Sequence, residues 1–427
     1  MKNSTVIKIL LLLYIVIGTA GIAWYLTPER TDDDSAFSEA SPSARKETLK
    51  KKKPSVVETE TQAESSYASE DIPSPADDVF VPDEWTGQID DFLGRLNGRE
   101  ENAGDTTSEP ADDTAIFTKE SIPRIIIDTD FASDADDVVA IRLALCLQDA
   151  GLADIRGIAL STTYSRSPLA VHALCSQDGY GMIPVAMDTS GNGIQVHTDY
   201  VDVMYDMAKG RDDFEQPVQM YRRILAESDT KVNIITLGFL QNIQALMHSA
   251  PDQYSPLTGA ELIARKVDSI YIVGGNSMGK PSFNFYWTGE KVVAAAREVV
   301  RDFPARIVFL QTDLSDDTYC GQFYRTKDSR GQDIVTRALK ANRQESGVVA
   351  WDVFSVWCAV QDMNKTMGQA FLELEQGTQY VSDTGATKWT ADGAGRHFKM
   401  YKNAEGAYYS RLMDDMLLQK YNQTHNR

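Results

Sequence analysis

The segment Ile125-Ile126-Ile127-Asp128-Thr129-Asp130-Phe131-Ala132-Ser133-Asp134-Ala135-Asp136-Asp137 decides how this chain folds. Its first three residues are β-branched and apolar, which predicts a strand that is buried on both faces of a sheet. Five aspartates follow within ten positions, and the apolar run 138–145 then predicts a helix. A strand that enters a helix through an acidic loop places that loop at the carboxyl end of a sheet, where α/β proteins bind their ligands.

Carboxylates this close together repel one another unless a counter-charge lies among them. Two carboxylates about 5 Å apart repel by roughly 3 kcal/mol at an effective dielectric constant near 20. The cluster would therefore take up protons or a cation, and oxygen ligands favour a hard ion such as calcium or magnesium. The simpler alternative is an acidic turn in which Asp136 or Asp137 caps the following helix. Capping accounts for one or two aspartates but not for five, so the sequence predicts a metal site.

Three protein families carry acidic segments of this kind. An EF-hand loop that starts at Asp128 requires Gly at its sixth position and Glu at its twelfth, where Ser133 and Val139 stand. Haloacid-dehalogenase-like phosphatases begin with Asp-x-Asp and continue with x-Thr or x-Val, a pattern that Ala132 fits poorly. Residues 128–140 resemble the N-terminal signature of the nucleoside hydrolases, Asp-Thr-Asp-x-Gly-x-Asp-x-Asp-Asp-x-x-Ala, with Ala132 in place of the Gly.

The resemblance to nucleoside hydrolases continues along the chain in the order of that family. Residues 234–243 are similar to its strand followed by Leu-Gly-Pro-Leu-Thr-Asn-Ile, and residues 269–276 are similar to its strand ending in Met-Gly-Gly. Residues 282–284, Ser-Phe-Asn, resemble its Glu-Phe-Asn, and residues 349–356 resemble its His-Asp-Pro-x-Ala-Val. Residues 395–401 resemble the terminal segment of some bacterial members. The similarity thus spans nearly the whole C-terminal part.

The resemblance implies a calcium-dependent hydrolase that cleaves the N-glycosidic bond of ribonucleosides and releases free base and ribose. It implies one Ca²⁺ held by Asp130, Asp137, the backbone carbonyl of Leu237 and Asp352. The ion would lower the pKa of a water molecule, and Asp130 would take its proton as general base. A helix N-cap is an alternative role for Asp352, compatible with the first.

The resemblance also implies residues that bind the substrate, a small-molecule nucleoside. Asp136 and Asn284 would bind the ribose hydroxyls, and Asn276 is a further candidate contact. Trp351 stands where a purine-specific branch stacks a Trp on the base, which favours purine nucleosides. Core packing is the alternative for Trp351, and a turn or cap position is the alternative for Asn284. Because members of the family are often dimers or tetramers, a homo-oligomer is a further expectation.

Three departures from the family pattern limit the resemblance, and the first two of them motivate an alternative function class. Ser282 replaces the Glu that contacts the sugar 5′-hydroxyl, and the family's Gly-Asn is not evident around Ser165 and Arg166. Trp351 replaces a His that serves the leaving base in many members. The alternative is therefore a non-catalytic, surface-tethered protein that binds nucleosides or sugars on the same fold. A dehalogenase-type phosphatase is a third and weaker alternative.

Residues 118–427 are expected to form a single Rossmann-like α/β domain. Short apolar runs alternate with helical patterns there, which predicts a mostly parallel sheet with helices on both faces. The predicted strands are 155–160, 232–237, 269–273 and 306–310, and the predicted helices include 214–227, 240–249 and 290–301. The formal net charge of −20 argues against a nucleic-acid partner. The four cysteines form no disulfide framework and are expected in the core.

The N-terminal part has a different composition. Residues 1–30 contain the apolar run 9–26 after Lys2 and Lys8, which predicts a membrane anchor or a cleaved signal peptide. Either reading predicts an extracytoplasmic protein, membrane-anchored by the N-terminal helix, or secreted or periplasmic after cleavage. Residues 31–117 are polar and acidic, which predicts a disordered linker, with a short amphipathic helix expected at 84–97.

Overall fold

A computed structural model describes residues 122–425, except for 191–192, 209–213, 329–330 and 366–371. The segments 1–30 and 31–117, with the helix expected at 84–97, lie outside the described residues, and the domain boundaries stay predictions.

The predicted membrane-anchored localisation is corrected by the helices that the structure describes. None of them, between residues 122 and 425 and outside the gaps, is both long and apolar enough to cross a membrane. The longest, Gly406–His425, has 20 residues but includes Arg411, Asp414, Asp415 and Lys420, and charges of this kind are costly in a bilayer.

The strands carry the numbers used below. They are β1 Arg124–Thr129, β2 Asp154–Leu160, β3 Val185–Met187, β4 Val232–Thr236, β5 Val267–Val273, β6 Arg306–Leu310, β7 Tyr319–Cys320, β8 Val348–Val349, β9 Leu372–Val381, β10 Thr387–Ala391 and β11 His397–Lys402.

Twelve α-helices lie among the described residues. They are α1 Asp136–Asp149, α2 Ser167–Gln177, α3 Asp199–Asp206, α4 Pro217–Glu227, α5 Gln241–His248, α6 Gly259–Lys266, α7 Phe283–Tyr286, α8 Glu290–Asp302, α9 Tyr324–Lys327, α10 Ile334–Ala341, α11 Trp351–Asn364 and α12 Gly406–His425.

A nine-stranded sheet organises the described chain, in the order β10-β9-β11-β6-β5-β4-β1-β2-β3. The seven strands in the run β11-β6-β5-β4-β1-β2-β3 are parallel to one another. β9 is antiparallel to both β10 and β11. β7 and β8 form a separate antiparallel pair that precedes α11. The mostly parallel α/β fold expected from the sequence is confirmed, and the predicted strands and helices agree with the observed ones to within a few residues.

The core consists of two layers, one on each face of the sheet. Ile125 and Ile127 of β1 pack with the helices α1, α2, α3, α10, α11 and α12. Ile126 points to the opposite face and packs with α4, α5, α6 and α8. This alternation follows from the two-residue period of a strand. It explains why the run Ile125–Ile127 of β1 contains no polar residue, because a strand covered on both faces has no side open to water. The four cysteines are free and buried, as expected.

The order of the strands creates a crevice beside β1. The chain moves outward from β1 through β2 to β3, and then returns to the other side of β1 to form β4, β5 and β6. Loops that leave neighbouring strands in opposite directions leave a crevice at the carboxyl ends of those strands. The carboxyl ends of β1 and β4 flank this crevice, and the acidic segment follows β1 directly.

Candidate functional site

Two helices begin at the acidic segment. Asp136 and Asp137 form the first turn of α1, and Asp352 lies in the first turn of α11. The N–H of Asp352 donates to Oδ2 of Asp136 at 3.1 Å, although 216 positions separate them in sequence. The positive ends of both helix dipoles therefore lie among these carboxylates, where negative charge is favoured.

Three of the carboxylates converge in space. One oxygen each of Asp130, Asp137 and Asp352 lies within 4.8 Å of the other two, and all three residues are buried. Asp130 directly follows β1, Asp137 lies in the first turn of α1, and Asp352 comes from a distant part of the chain. The structure thus brings together the three side chains that the sequence analysis proposed as metal ligands.

Burial makes the charged forms of this cluster costly. Burial raises the pKa of Asp130 to about 7, and the charge of Asp134 adds to the rise. The pKa values of Asp136, Asp137 and Asp352 lie well above the ordinary range, because these residues are buried and because each faces negative neighbours. Carboxylates in this situation are stabilised by protons or by a cation.

The donor atoms fit a hard divalent cation. Asp137 accepts a hydrogen bond from the Thr129 hydroxyl through Oδ1. Its other oxygen, Oδ2, is buried and accepts no hydrogen bond from the described residues. A buried carboxylate oxygen without a donor is costly unless a cation lies nearby. Oxygen-only ligands select calcium, magnesium or manganese rather than softer metals.

The end of β4 lies against Asp130. A side chain at Gly238 would place its Cβ 2.4 Å from Cβ of Asp130, so only a glycine permits this approach. The preceding Leu237 donates its N–H to the carbonyl of Asp128 at 2.7 Å. The carbonyl of Leu237 accepts one hydrogen bond, from Nδ2 of Asn284 at 2.8 Å. A carbonyl oxygen has a second lone pair, which leaves this one able to bind a cation.

Asn284 is oriented by its own hydrogen bonds. Its Nδ2 also donates to the carbonyl of Val273 at 3.0 Å, so both amide hydrogens bind strand-end carbonyls. Two carbonyl partners require the nitrogen on this side, which assigns the orientation of the amide. Oδ1 is the remaining polar atom of this buried side chain. Asn284 can therefore offer a ligand an acceptor but no donor.

Two other aspartates have structural partners. Burial raises the pKa of Asp128 to about 7, although hydrogen bonds from Tyr221 and Asn242 act to lower it. The Tyr221 hydroxyl donates to Asp128 at 2.8 Å, and Nδ2 of Asn242 donates at 3.1 Å. Asp134 accepts from the N–H of Ala135 at 2.6 Å. These contacts tie the Asp128 side chain to the elements around it and the Asp134 side chain to its own loop.

The two remaining candidates lie on different elements. Trp351 is half-buried at the start of α11, and its indole N–H donates to Asp316 at 3.0 Å. Asn276 follows β5, and its Oδ1 accepts from the N–H of Met278 at 2.8 Å. The N–H of Asn276 donates to the Thr387 hydroxyl at 3.0 Å. Asn276 therefore organises the loop after β5, a role that the sequence analysis did not assign to it.

A cluster of aromatic rings beside the site escaped the sequence analysis. Phe239 and Trp287 stack with an interplanar angle of 8° and centroids 5.8 Å apart, and Phe283 lies 5.0 Å from Trp287. Phe239 follows Gly238, which contacts Asp130, and Phe283 precedes Asn284. Phe283 is 39% exposed. The sequence feature that could have revealed this cluster is the position of Phe239 and Phe283 within two of the segments that resemble the family.

The acidic loop contains a strained residue. Ala132 has φ of 92°, a conformation that glycine adopts freely and that costs other L-residues about 1–2 kcal/mol. Ala132 stands where the resembling family has Gly. The family's glycine thus has a conformational explanation here, and the alanine retains that backbone conformation at an energetic cost.

Comparisons with known proteins bear on the fold. No protein-family model and no curated protein matches the sequence. The chain is similar in structure to an inosine-uridine preferring nucleoside hydrolase from Bacillus anthracis, with a TM-score of 0.51 and 14% identity over 71% of this chain and 100% of that one. A purine-preferring ribonucleoside hydrolase from Gardnerella vaginalis gives a TM-score of 0.52 and 13% identity over 70% and 98%.

A third similar structure is described as a type III effector, XopQ, complexed with adenosine diphosphate ribose. Its TM-score is 0.51, with 14% identity over 69% of this chain and 93% of that one. These similarities define an α/β fold, and this chain carries a buried acidic cluster at the carboxyl end of its sheet that could hold a metal ion. The chain has the nucleoside hydrolase fold, which confirms the family resemblance at the level of the fold.

Proposed function

We propose that this protein hydrolyses the N-glycosidic bond of ribonucleosides in a calcium-dependent reaction that releases free base and ribose. The observation that carries the proposal is the convergence of Asp130, Asp137 and Asp352 within 4.8 Å in a buried position. Two of the structurally similar proteins are described as nucleoside hydrolases. These proteins share only 14% and 13% identity with the chain, so the residues of the site carry the proposal.

The proposed calcium ligands are the three clustered carboxylates and the carbonyl of Leu237. When bound, the ion supplies a water molecule of lowered pKa and a point of attachment for the ribose diol. Asp130 belongs to the same cluster, so its carboxylate can accept the proton of the attacking water as general base. The negative carboxylates also stabilise the positive charge that develops on the ribose as the base departs.

The proposed sugar-binding residues are Asn284 and Asp136, each of which has one oxygen left to accept a hydrogen bond. Asn284 has committed both amide hydrogens to carbonyls, so its Oδ1 can accept a hydrogen bond from a ribose hydroxyl. Asp136 has one oxygen bound to the N–H of Asp352, which fixes the carboxylate and leaves its second oxygen as an acceptor. Both therefore bind hydroxyl donors, and such contacts orient the ring for attack.

A purine preference follows from Trp351. Its indole N–H is bound to Asp316, which restrains the ring while part of its surface stays accessible. A restrained and accessible aromatic face next to a metal-ligating Asp is suited to stack on a planar base. We propose that Trp351 contacts the base of a purine nucleoside.

The proposal is tested by incubating the full chain with inosine, guanosine, adenosine, uridine and cytidine and measuring free base by chromatography. We expect release with calcium, abolished by a chelator and by Asp130→Asn. Asp414→Asn is a control, because Asp414 is a half-buried aspartate on α12, outside the acidic cluster, whose pKa burial also raises to about 7. It should keep activity. Intact nucleosides in the presence of bound calcium would refute the hydrolase proposal.

A non-catalytic binding protein is the second candidate. The hydroxyl of Ser282 is buried and has no hydrogen-bond partner among the described residues, at the position where the resemblance implies a glutamate. The effector XopQ, which shares the fold, is described in complex with adenosine diphosphate ribose. Calorimetry separates the two candidates, since binding of nucleoside or ribose without product formation would support this one.

A further inference from the structure

The loop between β1 and α1 is held by a tyrosine that lies far from it in sequence. The hydroxyl of Tyr200 accepts a hydrogen bond from the N–H of Ala132 at 2.7 Å. The same hydroxyl donates a hydrogen bond to the carbonyl of Asp134 at 2.8 Å. Tyr200 belongs to α3 and is fully buried. One hydroxyl therefore ties together two backbone groups of the loop that carries the acidic side chains.

The hydrogen bond between Ala132 and Tyr200 stabilises a backbone conformation that is unfavourable for alanine. Ala132 is fully buried in a left-handed conformation that alanine rarely adopts. Its N–H would lack a partner without Tyr200, and a buried N–H without a partner opposes the conformation that buries it. A hydroxyl can donate and accept at once, so one tyrosine satisfies both backbone groups, which a phenylalanine cannot do.

The ring of Tyr200 is itself fixed. It packs edge-on against Phe131, with centroids 5.5 Å apart and an interplanar angle of 77°. Phe131 follows Asp130 directly, and the N–H of Ser133 closes a turn onto the carbonyl of Asp130 at 3.0 Å. A displacement of Tyr200 would therefore move the backbone on which Asp130 is carried.

We propose that Tyr200 is a positioning residue for the cation, which sets the placement of Asp130 relative to Asp137 through the backbone of residues 132–134. The inference rests on the metal site of the proposed function. Tyr200 acts through hydrogen bonds to main-chain atoms, and it is not itself a ligand. Partners that orient ligands in this way affect the affinity for the ion.

The test is calcium affinity, measured by calorimetry on the metal-free full chain. Tyr200→Phe keeps the ring packing and removes both hydrogen bonds. We expect calcium affinity to fall on the order of 10- to 100-fold. Tyr324→Phe is the matched control, because Tyr324 is 1% exposed and its hydroxyl has no hydrogen-bond partner among the described residues. The control should bind calcium within twofold of the unmodified protein.

A second variant separates positioning from a general loss of stability. Ala132→Gly combined with Tyr200→Phe allows the left-handed conformation without the tyrosine, because glycine adopts it freely. We expect at least a threefold recovery of calcium affinity relative to Tyr200→Phe alone. No recovery would show that Tyr200 does not act by holding this backbone conformation, and would overturn the inference.

The remaining outcomes distinguish the inference from the proposed function. Calcium binding by Tyr200→Phe within twofold of the Tyr324→Phe control would overturn the positioning role and leave the metal site intact. If the unmodified protein binds no calcium, the metal site and the positioning role are both refuted. Binding measured well below the unfolding temperature of each variant keeps loss of folded protein out of the comparison.

Discussion

The protonation of Asp130 predicts how pH changes the stability of the metal-free protein. Burial raises its pKa from 3.8 to about 7 in the folded state. A carboxyl group with a raised folded-state pKa favours the folded state at low pH, and that contribution is lost as pH rises from about 4 to about 7. At 1.36 kcal/mol per pKa unit, about 3 kcal/mol of unfolding free energy is lost between pH 5 and pH 8. For a domain of this size the unfolding temperature should fall by about 6 °C.

Calcium should restore the unfolding free energy that is lost at pH 8, and it should have little effect at pH 5. At pH 8 Asp130 is mostly ionised, and calcium at one hundred times its dissociation constant should stabilise the protein by about 2.7 kcal/mol. At pH 5 a group of pKa about 7 is about 1% ionised. Proton competition at Asp130 alone then weakens the apparent affinity about a hundredfold, and the raised pKa values of Asp137 and Asp352 add to this effect. The same calcium concentration should therefore stabilise by no more than about 0.4 kcal/mol.

The measurement is a thermal unfolding series at pH 5 and pH 8, with calcium or with chelator. Asp128 and Asp414 also have pKa values raised by burial to about 7, and the pKa values of Asp136, Asp137 and Asp352 are raised as well, so all five contribute to the pH dependence of the metal-free protein. The calcium effect at each pH is therefore the diagnostic quantity. Asp414→Asn should preserve it and Asp130→Asn should abolish it. Equal stabilisation by calcium at both pH values would refute the reasoning.

Three further predictions concern other residues. Arg142→Met removes the guanidinium that pairs with Asp178 and Asp333 in the core. It should lower the unfolding free energy by about 3–5 kcal/mol in chemical denaturation, and a loss under about 1 kcal/mol would contradict the prediction. Asn284→Leu removes the donors to two strand-end carbonyls and should lower kcat/KM for inosine by at least about 100-fold, whereas unchanged kinetics would exclude a substrate role. Trp351→Ala should raise KM for inosine about tenfold and Trp351→Phe should not, and equal effects would argue against stacking.

The sequence was sufficient for the fold class and for the place of the site. The run Ile125–Ile127 followed by aspartates and an apolar helix predicted a buried strand whose carboxyl end carries the site, and β1 and α1 have this arrangement. These features depend on local periodicity and on the position of loops in α/β folds, which a sequence displays directly. The membrane-anchored localisation is the prediction that failed, because it depended on a spanning helix that the described structure does not contain.

Only the tertiary structure decided how distant residues meet. Asp352 joins Asp130 and Asp137 because α11 begins where α1 begins, and no local pattern expresses that contact. The orientation of Asn284 and the contact of Tyr200 with the loop likewise connect residues separated by many positions in the chain. Hydrogen bonds to backbone atoms leave no trace in residue type, so the groups that hold the acidic loop in place become visible only once the chain has folded.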